Sequence, residues 1–583
     1  MESVLEQEGR SVHAVDRRTP PLASGASART VLLATGCALV LHLLWIRFLA
    51  GTGGDLAAQD AWTDFVAAHP TSAYDFAWYG GMHPASYSLI SPYVMGLLGV
   101  RLTMLVVGTL SAALVTLMLG RVPAVTQPGW AGVYAAIALT GNAISGRVTF
   151  GLGIVFGLAA VAVVLAWPDR LGSGPRVRRV RGALALLLAA LATASSPVAG
   201  LFLGLVAAAL WLRGRRPASL ALGVAPVVVI AVTAVVFPFF GVQPFSWSTA
   251  LLPLVLAGAG WALLPRAWRL ARICCAVYAA AVLVVWIVPT PIGTNVSRMS
   301  LLFGGVVLVA AASGRWWTST AAQRLGRPAG RVLLGLAIVI ATGWQVFIAG
   351  QDIRGSASAA TLDGHVQALV AQLDARNADL GRVEVVPSTS HLEASALAPY
   401  VNLARGWNRQ ADVARNPIFY RTEKPFTAHQ YERWLRSWAV RFVVLPASTA
   451  DYAGLRESQL VRAGLPFLTR IWSDRIWTLY AVTDPAPMTA APATLVGWNA
   501  AGLTVHMPTA GSTVLRIAWS PWLSIVDDKG RRVPDTELAG SCLGQVPATK
   551  SRRIPWVRLH VTQPGTYSIA APYALPRGTP CPS

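Results

Sequence analysis

The sequence predicts a polytopic α-helical membrane protein of about eleven spans, N-terminus inside and C-terminus outside, with an exported α/β plus β-sandwich C-terminal region. Three observations carry this. First, 54% of the 583 residues are hydrophobic and only 13% are charged, whereas soluble domains carry about 25% charged residues. Second, apolar runs recur between residues 31 and 350, separated by short arginine-rich loops. Third, from about Gln351 the apolar runs become short and acidic residues return.

Residues 1–28 read as a cytoplasmic tail. Arg17, Arg18 and Arg29 precede the first apolar run and no small-residue cleavage pattern follows it, which predicts a retained first span rather than a cleaved signal. The predicted spans are Val31–Ala50, Leu102–Gly120, Gly129–Ala143, Val148–Trp167, Ala183–Ser195, Val198–Leu212, Leu220–Phe240, Leu251–Leu264, Ile273–Val288, Leu301–Ala312 and Val332–Gly350. Their alternation puts the tail and the basic loops around Arg170 to Arg181, Arg213 to Arg216, Arg266 to Arg272 and Arg315 to Arg331 on one side, as the positive-inside rule requires. The run Ser88–Val100 is too short to cross and reads as an interfacial helix.

The transmembrane domain is thus assigned to residues 29–350, with an outer loop at 51–87. An exported α/β domain follows at 351–486, and a β-sandwich-like domain at 487–583. Thr361–Asp379 has apolar residues at helical spacing, Arg382–Val386 and Val440–Leu445 read as buried strands, and Ala428–Trp438 as the helix between them. Leu503–His506, Thr513–Ala518, Trp556–Val561 and Thr566–Ile569 read as strands of the sandwich. Trp519 and Trp522 are expected to pack in its core, and Asp451, Asp527 and Asp528 to be surface charges.

The net charge of +22 resides largely in loop arginines. Lys424, Lys529 and Lys550 are the only lysines, and no basic-aromatic module accompanies them, so no nucleic-acid partner is expected; the expected surroundings are membrane lipid. Cys37, Cys274 and Cys275 fall in spans and read as small apolar residues. Cys542 and Cys581 fall in the exported tail and are a disulfide candidate.

The first outer loop is the unusual part of the sequence. It runs Gly53-Gly54-Asp55 to Gln59-Asp60-Ala61-Trp62, then Trp78-Tyr79-Gly80-Gly81-Met82-His83-Pro84-Ala85-Ser86-Tyr87. Carboxylates just past a first span lie where a lipid headgroup is within reach. Asp55 also stands where a helix N-cap would, its side chain available to a backbone N–H. Arg147 in Ser145-Gly146-Arg147 and Arg298 in Thr294-Asn295-Val296-Ser297-Arg298 fall on the outer side, where positive charge is not the default.

With His83-Pro84-Ala85-Ser86-Tyr87 followed by Leu97-Leu98-Gly99-Val100-Arg101-Leu102, this stretch resembles the GT-C class of polyprenyl-phosphate-dependent membrane glycosyltransferases, of the actinobacterial mannosyl- and arabinofuranosyltransferase type. The resemblance covers the order of elements over residues 30–350 and is specific over about 55–120. The loop offers single carboxylates rather than the adjacent acidic pair common in the class. The resemblance implies sugar transfer from a polyprenyl-phosphate donor to an envelope glycan or glycolipid, with Asp55, or else Asp60, as general base. It implies Arg298, Arg147 and His83 at the donor phosphate, and Tyr79, Trp78, Tyr87 and Asn295 at the substrate. Two separated carboxylates without a histidine cluster argue against a tightly held transition metal and leave room for a loosely bound divalent cation. The alternatives are a flippase or transporter of lipid-linked sugar, disfavoured by the scarcity of ionisable residues in the spans, and a non-catalytic envelope-assembly scaffold.

Overall fold

The computed structural model describes residues 25–582 except 52–53, 123–124, 169–170, 173, 315–317, 358–364, 422, 424 and 550–551. Most of the tail, Gly53, Arg170, Arg315, Lys424, Lys550 and the start of the helix expected at Thr361 lie outside the described residues.

Each of the eleven apolar runs is helical. The order is α1 (Gly25–Phe48), α2 (Leu56–Ala68), α3 (Pro84–Tyr87), α4 (Ser91–Leu98), α5 (Val100–Gly120), α6 (Pro128–Ile144), α7 (Val148–Leu165), α8 (Pro175–Ser195), α9 (Pro197–Leu212), α10 (Arg216–Val236), α11 (Trp247–Leu263), α12 (Arg269–Ile287), α13 (Gly305–Ala312), α14 (Thr320–Leu325) and α15 (Arg327–Ala357). Proline stands in the first turn of α3, α4, α6, α8, α9 and α10, where its missing N–H costs nothing and its fixed φ suits the helix. Among the described residues, seven helices are long and apolar enough to cross a membrane: Ala28–Phe48, Val100–Gly120, Val148–Leu165, Arg216–Val236, Arg269–Ile287, Gly293–Ala312 and Arg327–Ser356. Pro197–Leu212 and Trp247–Leu263 are shorter apolar helices. Their large side chains face outward, as at Leu32, Val227 and Val339, all more than 60% exposed. This is the surface of a multi-pass helical membrane protein, not of a water-soluble one.

Two segments differ from expectation in extent. The arginine-rich stretch before Ala183 is not a loop: α8 starts at Pro175 and takes Arg176, Arg178, Arg179 and Arg181 into its first turns, since arginine is a good helix former once proline has set the start. The short helix expected over Ser88–Val100 is α4, ended by Gly99 at φ 81°, a conformation that favours glycine. The chain turns there directly into α5.

Beyond α15, helix Val366–Asp374 precedes a sheet of order β1-β2-β4-β3, with β1 (Arg382–Val385), β2 (Val440–Pro446), β3 (Leu468–Ser473) and β4 (Trp477–Val482). β1 and β2 are parallel. The intervening segment includes helix Ala428–Ser437, whose start is fixed by a capping box between Thr427 and Gln430. Two further sheets follow, β7 (Gly511–Ala518), β10 (Trp556–Val561) and β9 (Cys542–Val546) in one, and β5 (Thr494–Asn499), β6 (Gly502–Met507), β11 (Gly565–Ala570) and β8 (Ser524–Val526) in the other. Leu503, Val505 and Ile569 of one sheet and Leu515, Val557 and Leu559 of the other share a core. A disulfide joins Cys542 to Cys581. Trp522 belongs to this core, as expected, with Trp519 packed against it; its ring also stacks on Phe237 at 5.4 Å and its Nε1 donates to Val236 O at the end of α10. Asp451, expected at the surface, is instead largely buried and paired with Arg409 at 2.9 Å.

The loop between α1 and α5 is absorbed by this C-terminal region. Trp62, Phe65, Trp78 and Tyr79 share a core with Leu369, Val383, Leu397 and Trp477. Tyr74 and Phe76 share one with the second pair of sheets, and Tyr74 donates its hydroxyl to Ala518 O at 2.9 Å.

Candidate active site

The site is built where three turns meet. The α6–α7 turn, Ser145 to Arg147, is joined to the first loop by Asp55 N donating to Ser145 O at 3.0 Å. Gly54 permits that approach: its φ is +56°, and a Cβ there would lie 2.6 Å from Ser145 O. The third turn is a 3-10 segment, Gly293–Ser297, which delivers Arg298 just ahead of a π-helical turn, Ser300–Gly304. Such turns are rare and often mark functional positions.

Asp55 is at the N-cap of α2, yet its side chain makes no cap hydrogen bond. The carboxylate turns instead to two arginines. Arg298 Nη2 donates to Asp55 Oδ2 at 3.1 Å, and Arg147 Nε lies 3.8 Å from the same oxygen. The side chains of Arg298, Arg147 and Asp55 are 17%, 20% and 28% exposed. The guanidinium of Arg298 also lies 5.3 Å above the ring of Phe150 in the first turn of α7. Arg147 Nε is buried with no hydrogen-bond partner among the described residues, so a guanidinium donor is left over beside the carboxylate. Asp55 and Arg298 are 243 positions apart in sequence.

Gln59, one turn into α2, is fully buried. Its amide donates to Tyr87 Oη at 2.8 Å and its carbonyl accepts from Thr149 N at 3.2 Å. Burial pushes the Tyr87 hydroxyl up to about 12, with Asp55 adding to the shift, so it remains a neutral phenol at physiological pH. Asn295 is half-buried in the turn before Arg298. The sequence reading missed Asp352 near the end of α15, whose carboxylate accepts from Ser145 Oγ and lies in the electrostatic field of Arg147, Asp55 and Arg298. Its signal was present: it is the first acidic residue after the last apolar run.

Four expected site residues lie elsewhere. Asp60 pairs with Arg101, which also donates to Ala50 O and Gly51 O. Burial pushes the Asp60 carboxyl up and Arg101 pulls it back. The carboxylate is thus engaged in tying α2 to α5. His83 is 3% exposed, with Nδ1 at 2.7 Å from Ala73 O and Nε2 at 3.0 Å from Ser520 Oγ; both nitrogens are used, leaving none for a phosphate. Trp78 and Tyr79 are completely buried, so neither offers a face to a sugar. Trp78 Nε1 donates to Ala394 O, and Tyr79 Oη donates to Gly406 O at 2.6 Å and accepts from Asn408 N at 3.1 Å.

An apolar cavity of about 390 Å³ has Met299, the residue after Arg298, in its lining. Phe303, Ile154, Phe202, Tyr278 and Cys275 are among its lining. Among the described residues, no group of three or more His, Cys, Asp or Glu side chains is placed to hold a metal ion. Positive charge beside Asp55 is supplied by the two arginines.

Residues 490–583 match the family model of a domain of unknown function (DUF8823). No curated protein matches the chain. Among solved structures, the oligosaccharyltransferase AglB from Archaeoglobus fulgidus, in complex with an inhibitory peptide and a dolichol-phosphate, aligns over 73% of this chain and 70% of its own, at 11% identity and a TM-score of 0.43. ArnT from Cupriavidus metallidurans in the apo state aligns over 78% and 98%, at 14% identity and a TM-score of 0.42. The same protein bound to undecaprenyl phosphate aligns over 80% and 99%, at 14% identity and a TM-score of 0.37.

Proposed function

We propose that the chain is a GT-C-type membrane glycosyltransferase that moves a sugar from a polyprenyl-phosphate donor to a cell-envelope glycan or glycolipid on the outer face of the membrane. The observation that carries this reading is the convergence of Asp55, Arg147 and Arg298 from three separate turns. One carboxylate beside two guanidinium groups, with Met299, the residue after Arg298, in the lining of an apolar cavity, matches the needs of a reaction on a lipid phosphate. The topology that puts the site and the C-terminal region outside the cytoplasm rests on the arginine alternation of the loops.

In this mechanism the prenyl chain occupies the apolar cavity that Met299 helps to line. The phosphate is bound by the guanidinium groups of Arg298 and Arg147. Asp55 takes the proton from the acceptor hydroxyl as that oxygen attacks the anomeric carbon. The new glycosidic C–O bond forms, the bond from the anomeric carbon to the phosphate oxygen breaks in line, and configuration at that carbon inverts. One negative charge passes from Asp55 to the departing polyprenyl phosphate, and the arginines stabilise it there. Tyr87 and Asn295 flank the site as hydrogen-bonding groups for donor or acceptor.

The test uses purified full-length protein in nanodiscs with polyprenyl-phosphate sugars and an envelope acceptor fraction. Release of free polyprenyl phosphate that requires the acceptor and disappears in Asp55→Asn supports the reading. Release that is absent, or equal in both proteins, removes it.

A further inference from the structure

We infer that Trp407, in the C-terminal region, is a positioning residue for Asp55; this rests on the proposed role of Asp55. Trp407 Nε1 donates to Gly54 O at 2.9 Å, across 353 residues of chain. That carbonyl belongs to the peptide unit leading into Asp55. The next backbone group, Asp55 N, is bound to Ser145 O at 3.0 Å. The Gly54–Asp55 peptide is therefore held from both sides, by a turn of the helical bundle and by an indole of the C-terminal region.

The indole is itself held. The ring of His391 stacks on it at 3.4 Å with a 9° interplanar angle. The guanidinium of Arg409 covers it at 4.8 Å and is fixed by Asp451 at 2.9 Å. With these two contacts the ring cannot rotate freely, and its single donor stays directed at Gly54. The same segment reaches the chain on either side of α11 and α12: the Gln410 side chain donates to Pro291 O, just before the turn that carries Arg298, and its backbone carbonyl accepts from Val242 N. Asp55 has no side-chain cap bond, and its carbonyl accepts from Gln59 N at 3.3 Å, so the indole adds a contact from the C-terminal region to this peptide. Trp407 thus makes the C-terminal region a working part of the site.

Trp407→Phe keeps an aromatic ring between His391 and Arg409 and removes only the donor. In full-length protein it is expected to speed hydrogen exchange at residues 54–58 by roughly fivefold and to lower kcat by roughly tenfold. KM for the donor should stay unchanged. A purely structural role would move KM and thermal stability along with kcat. Should Trp407→Phe not fold, His391→Asn, which frees one ring face at a position of φ 54° that asparagine tolerates, is read by the same two assays. Exchange and kcat both at wild-type values would overturn the inference, as would faster exchange with undiminished kcat. If wild-type protein transfers no sugar, the transferase reading fails; the exchange rates then still decide whether Trp407 holds the loop.

Discussion

Arg298 donates a 3.1 Å hydrogen bond to Asp55, and the pairing joins the start of the chain to the turn before its penultimate long apolar segment. A carboxylate that served only as a helix cap would turn to its own N-terminal amides. This one faces two guanidinium groups, one of which retains an unused donor.

Arg298→Gln and Arg147→Gln are expected to weaken polyprenyl-phosphate binding. A hydrogen bond to a charged group contributes about 1.5–3 kcal/mol, so each loss is on the order of 10- to 100-fold. Titration of undecaprenyl phosphate into protein in nanodiscs measures it. Arg298→Lys should recover only part, because an ammonium lacks the planar fork.

Asp60→Asn separates the two candidate bases. Asp60 is engaged by Arg101, so its loss should loosen the α2–α5 junction and lower thermal stability. Removing a general base costs about 10²- to 10⁴-fold. Asp60→Asn should therefore retain at least tenfold more transfer than Asp55→Asn, measured side by side at equal folded protein.

The fold was legible where physics acts locally. Apolar runs marked eleven helical stretches, and alternation marked Trp556–Val561 as a strand. Arg147 and Arg298 were also legible, as outer-side positive charges that the alternating topology leaves unexplained, and Asp55 as a carboxylate just past the first span. Their meeting was not, because it depends on turns 243 residues apart. The burial of Trp78, Tyr79 and His83 was hidden for a related reason. An aromatic loop beside a span looks like an interfacial belt, and nothing local reveals that a domain hundreds of residues later buries it. Asp352 was overlooked because one acid past an apolar run resembles an ordinary span end.

The pH response of His83 follows from its burial. Burial lowers its pKa to about 4, against about 6.5 in the unfolded chain. Between those values the unfolded state binds the proton and the folded state does not, so stability is lost as pH falls from 6.5 towards 4. The full shift corresponds to on the order of 3 kcal/mol. The stability advantage of wild type over His83→Gln should accordingly shrink across that window, as read by melting temperature. A constant difference would mean that His83 already carries its proton in the fold.

The Cys542–Cys581 disulfide closes a 39-residue separation. On the chain-entropy account a loop of that size is worth about 4 kcal/mol. The Cys542→Ser, Cys581→Ser pair should make residues 490–583 of the full-length protein markedly more sensitive to protease. Resistance equal to wild type would assign their stability to the shared apolar core alone.

The central claim is that Asp55 is the base of a sugar transfer, and envelope-glycan linkage analysis tests it most directly. A strain lacking the protein is complemented with wild type or with Asp55→Asn at matched membrane levels. The account predicts that one linkage disappears in the deletion, returns with wild type, and stays absent with Asp55→Asn. Full return of that linkage with Asp55→Asn would contradict it.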